Sequence, residues 1–418
     1  MQRSGSEAAN ENTDQWPRHR GPTLAYWLLL YGFEPVVVEE AARPRTGGYI
    51  VDFWGKGYDV AERMGLLSRL HELSYRLREV RFVNHRGRRV GGFSVAAIGR
   101  ATHGRYLSIA RAELSSTLYE TIAGKAEVIF GDSITSIAPQ EAGVRVQFRR
   151  APARDFDLVI GADGLHSNVR RLCFGPETEF EVYLGYKVAA FETTGYAPRD
   201  EHMYVSYNEP GKHIARFATR GNRTVFMLVY RDQSAEPPRG DAARESLHRN
   251  FRSSGWECAR ILRALDASRD VYLDRVSQIR MTTWSNGCTA LVGDAAYCPS
   301  LLAGEGSALA MVGSYVLAGE LWKAGGDHRG AFARYEELLR PLLTDKQGAA
   351  ERFSAWFAPR TRAGIMLRNL TTCTFNITPV AEFFLGRNLR DRLVLPDYSS
   401  DSPRATTMAT TSPTASRT

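Results

Sequence analysis

Residues 290–321, ALVGDAAYCPSLLAGEGSALAMVGSYVLAGEL, combine several features that could do chemistry together. A short apolar stretch ends at a Gly-Asp pair, which would place the Asp294 carboxylate at the end of a buried strand, where it could accept hydrogen bonds from sugar hydroxyls. Gly304 and Gly306 would let the backbone approach a flat ligand. The apolar helix that they open would point backbone N–H groups at that ligand. The pattern predicts a site for an anion or an electron-rich carbonyl, with an ordinary glycine-rich helix start as the alternative.

Two upstream segments carry related patterns. Residues 157–164, DLVIGADG, form a second apolar run that ends in Asp-Gly, with Asp163 in the turn and Ser167 in position to cap a following helix. In LSIARAEL, residues 107–114, Arg111 stands where a strand would turn into a helix. An arginine at such a junction suits a phosphate group or the edge of a ribose.

In this order, the Arg-x-x-Leu, GADG and GDAA…PSLLAGEGSALA motifs resemble the flavin-dependent aromatic hydroxylases of the p-hydroxybenzoate hydroxylase type. The resemblance covers roughly residues 21–395. Within that family, TGGYIVDFWG at 46–55 is similar to the tetracycline-hydroxylase branch and its relatives in secondary metabolism. The resemblance implies FAD as cofactor, NADPH or NADH as transient reductant, and molecular oxygen as co-substrate. The expected reaction is hydroxylation or epoxidation of an aromatic or polyketide-like small molecule.

The family's first motif, an apolar strand followed by Gly-x-Gly-x-x-Gly, is only partly present. Gly21 and its apolar helix resemble the end of the motif, and Glu39 resembles the ribose-binding carboxylate of the next strand. Residues 1–20 are polar and contain no run that could form a central strand, so we expect them to be disordered. Three explanations remain open: a gene model with the wrong start, which we favour, a true truncation, or a pseudoenzyme that keeps the fold. The alternative to an enzyme is thus a flavin-fold binding protein or inactive relic.

The resemblance also assigns roles to individual positions. No catalytic acid or base stands out, although Tyr207, Arg216 and Tyr230 fall on predicted strands and could orient a phenol or enol. Glu305 lies in the glycine-rich loop, where a carboxylate next to an anionic flavin would be unfavourable unless it were protonated or turned away. The positions expected to contact FAD are Gly21, Glu39, Arg111, Asp163, Asp294, Gly304 and Gly306.

Composition is that of a folded enzyme with two lobes. The 418 residues carry a formal charge of +8 without a long basic block, so no nucleic-acid partner is expected. The five cysteines and nine histidines show no metal-ligand spacing, which predicts free thiols and no metal site. No signal peptide or membrane-spanning run is present, and we expect a cytoplasmic protein. The oligomeric state is not indicated.

The predicted fold class is α/β, with a Rossmann-like FAD-binding lobe of the glutathione-reductase type and an antiparallel β-sheet substrate lobe. The hairpin Val80–Gly92, with its Arg86-Gly87 turn, would interrupt the first part of the FAD lobe. The strands expected in the substrate lobe are His202–Tyr207, His213–Thr219 and Arg223–Tyr230. The expected divisions are 1–20, 21–175 (FAD lobe, first part), 176–285 (substrate lobe), 286–345 (FAD lobe, second part), 346–395 (closing helices) and 396–418 (disordered tail).

Overall fold

The computed structural model of the chain describes residues 20–42, 50–376, 391 and 393–398. The predictions of disorder for residues 1–19 and 399–418 lie outside these ranges, while Arg20 already belongs to the first helix. The helices are α1 (Arg20–Leu30), α2 (Gly55–Arg63), α3 (Leu67–Leu73), α4 (Ala96–Ala101), α5 (Arg111–Ile122), α6 (Asn168–Cys173), α7 (Asp241–Phe251), α8 (Cys258–Ala267), α9 (Asp294–Tyr297), α10 (Gly306–Lys323), α11 (His328–Phe357) and α12 (Arg362–Thr374).

The strands form one large sheet and four small ones. They are β1 (Val36–Glu39), β2 (Ile50–Trp54), β3 (Glu79–Val83), β4 (Arg89–Ser94), β5 (Tyr106–Ala110), β6 (Glu127–Phe130), β7 (Ile134–Pro139), β8 (Val144–Phe148), β9 (Arg154–Phe156), β10 (Val159–Gly161), β11 (Glu181–Thr194), β12 (Met203–Glu209), β13 (Lys212–Thr219), β14 (Arg223–Arg231), β15 (Tyr272–Ile279), β16 (Ser285–Asn286) and β17 (Thr289–Leu291).

The large sheet has seven strands in the order β15-β11-β14-β13-β12-β3-β4. Its neighbours pair antiparallel, as predicted for the substrate lobe, except that β12 and β3 are parallel. The predicted hairpin is present, and the Asn84 side chain holds its turn by accepting from the amides of Arg86 and Arg88, both at 3.0 Å. It extends the large sheet, a pairing that the sequence analysis did not predict. Local pattern could not show this, because the pairing joins residues 79–83 to 203–207.

The nucleotide-binding part contains two short parallel pairs, β1 with β6 and β10 with β17. The described residues supply no strand that joins the two pairs into one sheet. All four residues of β1 are only partly buried, whereas β17 is buried throughout. Among the strands that the structure describes, β1 therefore has a hydrogen-bonded neighbour on one edge only.

The core of this lobe is built around α10, an 18-residue helix whose side chains are buried on almost every side. A helix that is apolar all round belongs in the interior of a domain. Trp27 of α1 meets Tyr315 of α10 edge to face, with ring centroids 4.8 Å apart. A methyl group on Gly57 of α2 would lie 2.5 Å from Ala308 Cβ, so only glycine allows α2 this close to α10.

The large sheet has two covered faces. On one face Phe191, Val205 and Phe226 form a core with Leu247 of α7 and Ile261 of α8. We call this the helical face. Because side chains alternate along a strand, the neighbouring positions must point the other way.

The opposite face packs on the loop that leads into α10. Tyr186, Val188 and Val229 form a cluster there with Leu302, just before Gly304, and with Ala358. We call this the inner face. It brings the substrate sheet against the glycine-rich loop that the sequence analysis singled out.

Candidate functional site

The two halves of the motif at residues 290–321 lie together. Gly293, in a conformation with φ of 69°, ends the buried strand β17 and places Asp294 at the first position of α9. Gly306 starts α10, and a methyl group there would lie 3.3 Å from Asp294 Oδ1. Gly304 adopts the left-handed conformation, with φ of 71°. The predicted residues Asp294, Gly304 and Gly306 therefore form one corner, with a carboxylate beside a helix N-terminus.

Glu305 lies within this corner, but its side chain forms an ion pair with α11. Its Oε2 is 2.7 Å from Nζ of Lys346, which also lies 2.8 Å from Oδ1 of Asp391. Burial raises the pKa of Glu305, and the ammonium group of Lys346 partly opposes that shift. Glu305 makes no side-chain cap on α10. The Glu305 carboxylate thus has a largely buried lysine as its partner, which it shares with Asp391.

A second group of predicted residues surrounds β1. Glu39 ends β1, and its side chain accepts from the amide of Ala41 at 3.0 Å and from the Tyr119 hydroxyl at 3.3 Å. Gly21 lies in the first turn of α1, where a methyl group would be 3.3 Å from Val37 Cγ1. A carboxylate at the carboxyl end of a parallel strand has the position that nucleotide sites use in open α/β sheets.

Arg111 is the first residue of α5 and follows β5 directly, as the sequence predicts. Its guanidinium stands at a helix N-terminus, so it adds positive charge where the helix dipole is also positive. α5 also carries Tyr119, the partner of Glu39. Helix α5 therefore carries Arg111 itself and also contacts Glu39 through Tyr119.

Asp163 has a local structural task. Its Oδ1 accepts from the Ser167 hydroxyl, and its Oδ2 accepts from the Val169 amide at 2.9 Å. Ser167 in turn caps α6 by accepting from the Arg170 amide at 3.0 Å. Both carboxylate oxygens thus hold the turn between β10 and α6, and a contact of Asp163 with FAD stays a prediction.

Asp52 is a partly buried carboxylate to which the sequence analysis assigned no role. It lies opposite Ser108 in the pairing of β2 with β5 and accepts from the Ser108 hydroxyl and, at 2.7 Å, from the Tyr106 hydroxyl. Burial raises the pKa of Asp52, while these two hydrogen bonds oppose the shift. A carboxylate is costly to bury unless it has such partners. The one available signal was its isolated position in the apolar run IVDFW.

The three candidates for substrate orientation, Tyr207, Arg216 and Tyr230, lie on the helical face. Tyr207 and Tyr230 belong to the core that the sheet forms with α7 and α8. Arg216 donates from Nε to Glu257 at 2.9 Å. Their position argues against the predicted role, because each points away from the inner face that packs on the glycine-rich loop. A shift of one residue along a strand changes the face, and that parity was not evident from the sequence.

The inner face carries a different polar pair, Tyr204 and His213. The Tyr204 hydroxyl lies 3.0 Å from His213 Nε2, and the imidazole packs on Phe357 with ring centroids 3.9 Å apart. Burial, with help from the nearby Arg368 charge, lowers the pKa of His213 well below its usual value and keeps the ring neutral. Burial and the charge of Asp52 raise the pKa of Tyr204.

The described residues contain no cluster of histidine, cysteine or acidic side chains suited to hold a metal ion. In the same part of the chain, no helix is long and apolar enough to cross a bilayer.

The chain is similar in sequence and in structure to several known proteins. Residues 19–333 match the model of a family described as FAD binding domain. An uncharacterised protein of Mycobacterium tuberculosis is 38% identical over 337 residues, which are 78% of this chain and 89% of that protein. A flavin-dependent monooxygenase of Legionella longbeachae is 34% identical over 345 residues, 80% of this chain and 85% of that enzyme. The crystal structure of tetracycline destructase Tet(51) superposes with a TM-score of 0.77 at 30% identity, covering 92% of this chain and 98% of the other.

Proposed function

The chain belongs to the FAD-dependent monooxygenases of the aromatic hydroxylase family, and from this premise we propose that it inserts one oxygen atom into an aromatic or polyketide-like small molecule. The prediction of FAD as cofactor is confirmed by the family match, and NAD(P)H is the reductant typical of the family. Bound FAD supplies the redox chemistry of such an enzyme. The protein must bind the cofactor, exclude water and hold the substrate near the flavin.

The residues present fit FAD. Gly304 and Gly306 leave the backbone open beside Asp294, and the N-terminus of α10 offers its N–H groups and positive dipole end to an electron-rich ring or carbonyl. Glu39 stands at the carboxyl end of β1 to accept from a ribose. We infer that these residues, with Arg111, hold the cofactor. The Glu305 side chain is held in an ion pair with Lys346, which offsets part of its charge.

The observation that carries the substrate class is the Tyr204–His213 pair on the inner face. His213 contacts the Tyr204 hydroxyl through Nε2 and the Asn208 amide, 3.2 Å away, through Nδ1. The Tyr204 hydroxyl is therefore the group of this pair that can hydrogen-bond to a phenol, an enol or a carbonyl. Phe217 and Tyr75 continue the surroundings as an edge-to-face pair, with centroids 5.5 Å apart. An oxygenated ring system fits polar groups that stand among aromatic side chains. The name of the relative Tet(51), a tetracycline destructase, supports a polycyclic substrate of this kind.

The test is oxygen insertion by the purified, FAD-loaded protein. NADPH would be supplied with tetracycline, with a simple phenol or with no acceptor, under isotopically labelled molecular oxygen. We expect NADPH consumption to rise with an accepted ring substrate and the product to carry one labelled oxygen atom. A protein that oxidises NADPH equally with every acceptor and labels no product would contradict the proposed substrate class. NADH in place of NADPH decides which reductant is preferred.

A further inference from the structure

A groove of about 360 Å³ lies on the helical face of the large sheet, away from Tyr204 and His213. Three segments form it: the turn of the β3–β4 hairpin, the loop before β12, and the loop between α7 and α8. The amide of Trp256 donates to the carbonyl of His85 at 2.8 Å, which fastens the third segment to the first. The volume is within the range of small-molecule sites.

Among the described residues that line the groove, the one buried arginine is paired with two carboxylates. The Arg216 side chain is only 2% exposed. It donates at 2.9 Å to Glu257, the residue just before α8, and also to Asp200, which lies in the loop before β12. Glu257 also accepts from the Tyr196 hydroxyl at 2.8 Å. A buried arginine between two carboxylates has its charge met, so it fixes the walls and leaves little attraction for a further anion.

The rim is different. His85 and Arg86 line the groove from the hairpin turn, and neither side chain forms an ion pair or hydrogen bond with another described residue. Arg81, which lies on β3 before the turn, is paired with Glu79 at 2.7 Å. Arg86 therefore contributes a positive charge that the described part of the protein does not compensate. An anionic group at the rim would meet it.

One aromatic ring, that of Trp256, lines the groove next to the hairpin turn, where it would lie 3.6 Å from a methyl group on Gly87. The Trp256 ring lines the groove together with Pro198 and Val205. Trp256 and Asp200 both adopt positive φ angles, 57° and 45°, which non-glycine residues rarely do. Strained residues of this kind cluster at ligand sites, where the surrounding structure holds them in place. Two such residues in one groove are an observation independent of its charge.

We propose that this groove binds a small aromatic carboxylate, with the ring against Trp256 and the carboxylate at His85 and Arg86. The Trp256 side chain favours a planar ring, and the guanidinium favours a carboxylate over a neutral group. The groove is separate from the inner face, where the proposed function places the substrate, because Val205 and Arg216 lie on the face opposite Tyr204 and His213. The proposal does not depend on the substrate of the oxygenation reaction.

The test uses the full-length, FAD-loaded protein with 2-naphthoate as probe and the uncharged 2-naphthamide as its neutral counterpart. With nitrogen-15 labelled tryptophans, the indole resonance of Trp256, assigned by Trp256→Phe, reports where the probe binds. We expect 2-naphthoate to shift this resonance and 2-naphthamide to shift it only at far higher concentration. A Trp256 resonance that 2-naphthoate leaves in place, or that both probes shift alike, overturns the proposal.

A double variant, His85→Gln with Arg86→Gln, tests the rim. We expect at least about a tenfold loss of 2-naphthoate affinity at this site, since a charge-assisted contact is removed. Arg88→Gln is the matched control, because Arg88 lies in the same turn but does not line the groove. Equal loss in both variants, or in neither, contradicts the proposal. Bound FAD and the thermal unfolding temperature show whether the variants are folded. The Trp256 resonance of the wild-type protein tests probe binding in the groove without relying on any variant of the rim.

Discussion

Lys346 Nζ lies between two carboxylates, 2.7 Å from Glu305 and 2.8 Å from Asp391. The lysine belongs to α11 and Glu305 to the loop that opens α10, so the ion pair joins the closing helix to the candidate flavin corner. Lys346 loses hydration on burial, yet the two carboxylates outweigh that loss and raise its pKa. The ion pair gives the Glu305 carboxylate a cationic partner, so this acidic side chain can be largely buried in the loop.

Replacing Lys346 tests this relationship. Lys346→Met should lower the free energy of unfolding by about 3–5 kcal/mol, because it leaves Glu305 buried without a cation. Adding Glu305→Gln should restore part of the loss, since the uncompensated charge is then removed. Denaturant unfolding of the two variants measures both effects. A single Lys346→Met variant as stable as the wild type would contradict a compensating role for the lysine.

Asp294→Ala should yield protein without flavin. The carboxylate lies at the corner where β17 meets α10, and we expect it to bind FAD. Flavin absorbance after purification and a titration with added FAD measure the loss. Asp155→Ala is the control, because Asp155 is an exposed carboxylate that pairs with Arg145 on a distant hairpin. If Asp294→Ala remains fully loaded, the assigned contact is wrong.

Gly306→Ala should weaken FAD binding through the same carboxylate. The new methyl group would lie 3.3 Å from Asp294 Oδ1, close enough to displace it. Gly348→Ala, in the middle of α11, serves as control since its nearest atom would be at 3.7 Å, on a flexible arginine. If flavin titrations give the same FAD affinity for Gly306→Ala and Gly348→Ala, the close approach of Gly306 to Asp294 is unimportant for FAD binding.

Arg111→Ala should weaken FAD binding by about tenfold to a hundredfold while leaving the fold intact, as expected when one charge-assisted contact is lost. Arg100→Ala removes an exposed arginine from α4 and should bind FAD normally. Fluorescence titration measures the affinities, and thermal unfolding without FAD reports the fold. Unchanged affinity in Arg111→Ala would exclude the predicted contact.

Tyr204→Phe and Tyr207→Phe separate the two faces of the large sheet. Tyr204 lies on the inner face, so loss of its hydroxyl should raise the KM for the ring substrate and leave FAD binding unchanged. Tyr207 donates to Glu209 on the helical face, at 2.9 Å, and its replacement should leave KM unchanged. Steady-state kinetics with an accepted substrate checks both. A raised KM in Tyr207→Phe, with an unchanged KM in Tyr204→Phe, would instead support Tyr207 as the residue that orients the substrate.

His213 predicts how stability depends on pH. Its pKa is depressed in the folded protein, so the unfolded chain binds a proton that the folded chain resists. Stability is therefore full above the unfolded pKa of about 6.5 and falls as the pH drops below it, by up to about 1.4 kcal/mol per pH unit. His213→Gln should flatten this slope, whereas His71→Gln, which removes an exposed histidine, should not. Denaturant unfolding between pH 7 and pH 5 compares them, and equal slopes in all three proteins would contradict the prediction.

The sequence by itself determined the family, the α/β class and three strands of the substrate sheet, β12, β13 and β14. Those features depend on local order: an apolar run, a glycine turn and the start of a helix are adjacent in the chain. Asp294, Gly304 and Gly306 were recognisable for this reason, and the structure places them in one corner. For Gly21, Glu39 and Arg111 the sequence gives the position on each element, and their contacts with FAD remain predictions.

Only the tertiary structure decided which side chains lie on the inner face of the large sheet. Tyr204 and Tyr207 are three residues apart in one strand, and alternation sends them to opposite faces, so parity against the rest of the sheet selects between them. The parallel pairing of β3 with β12 and the ion pair of Glu305 with Lys346 likewise join residues far apart in the chain. Such contacts form because the folded layers bury both partners together. No local pattern of residues encodes them.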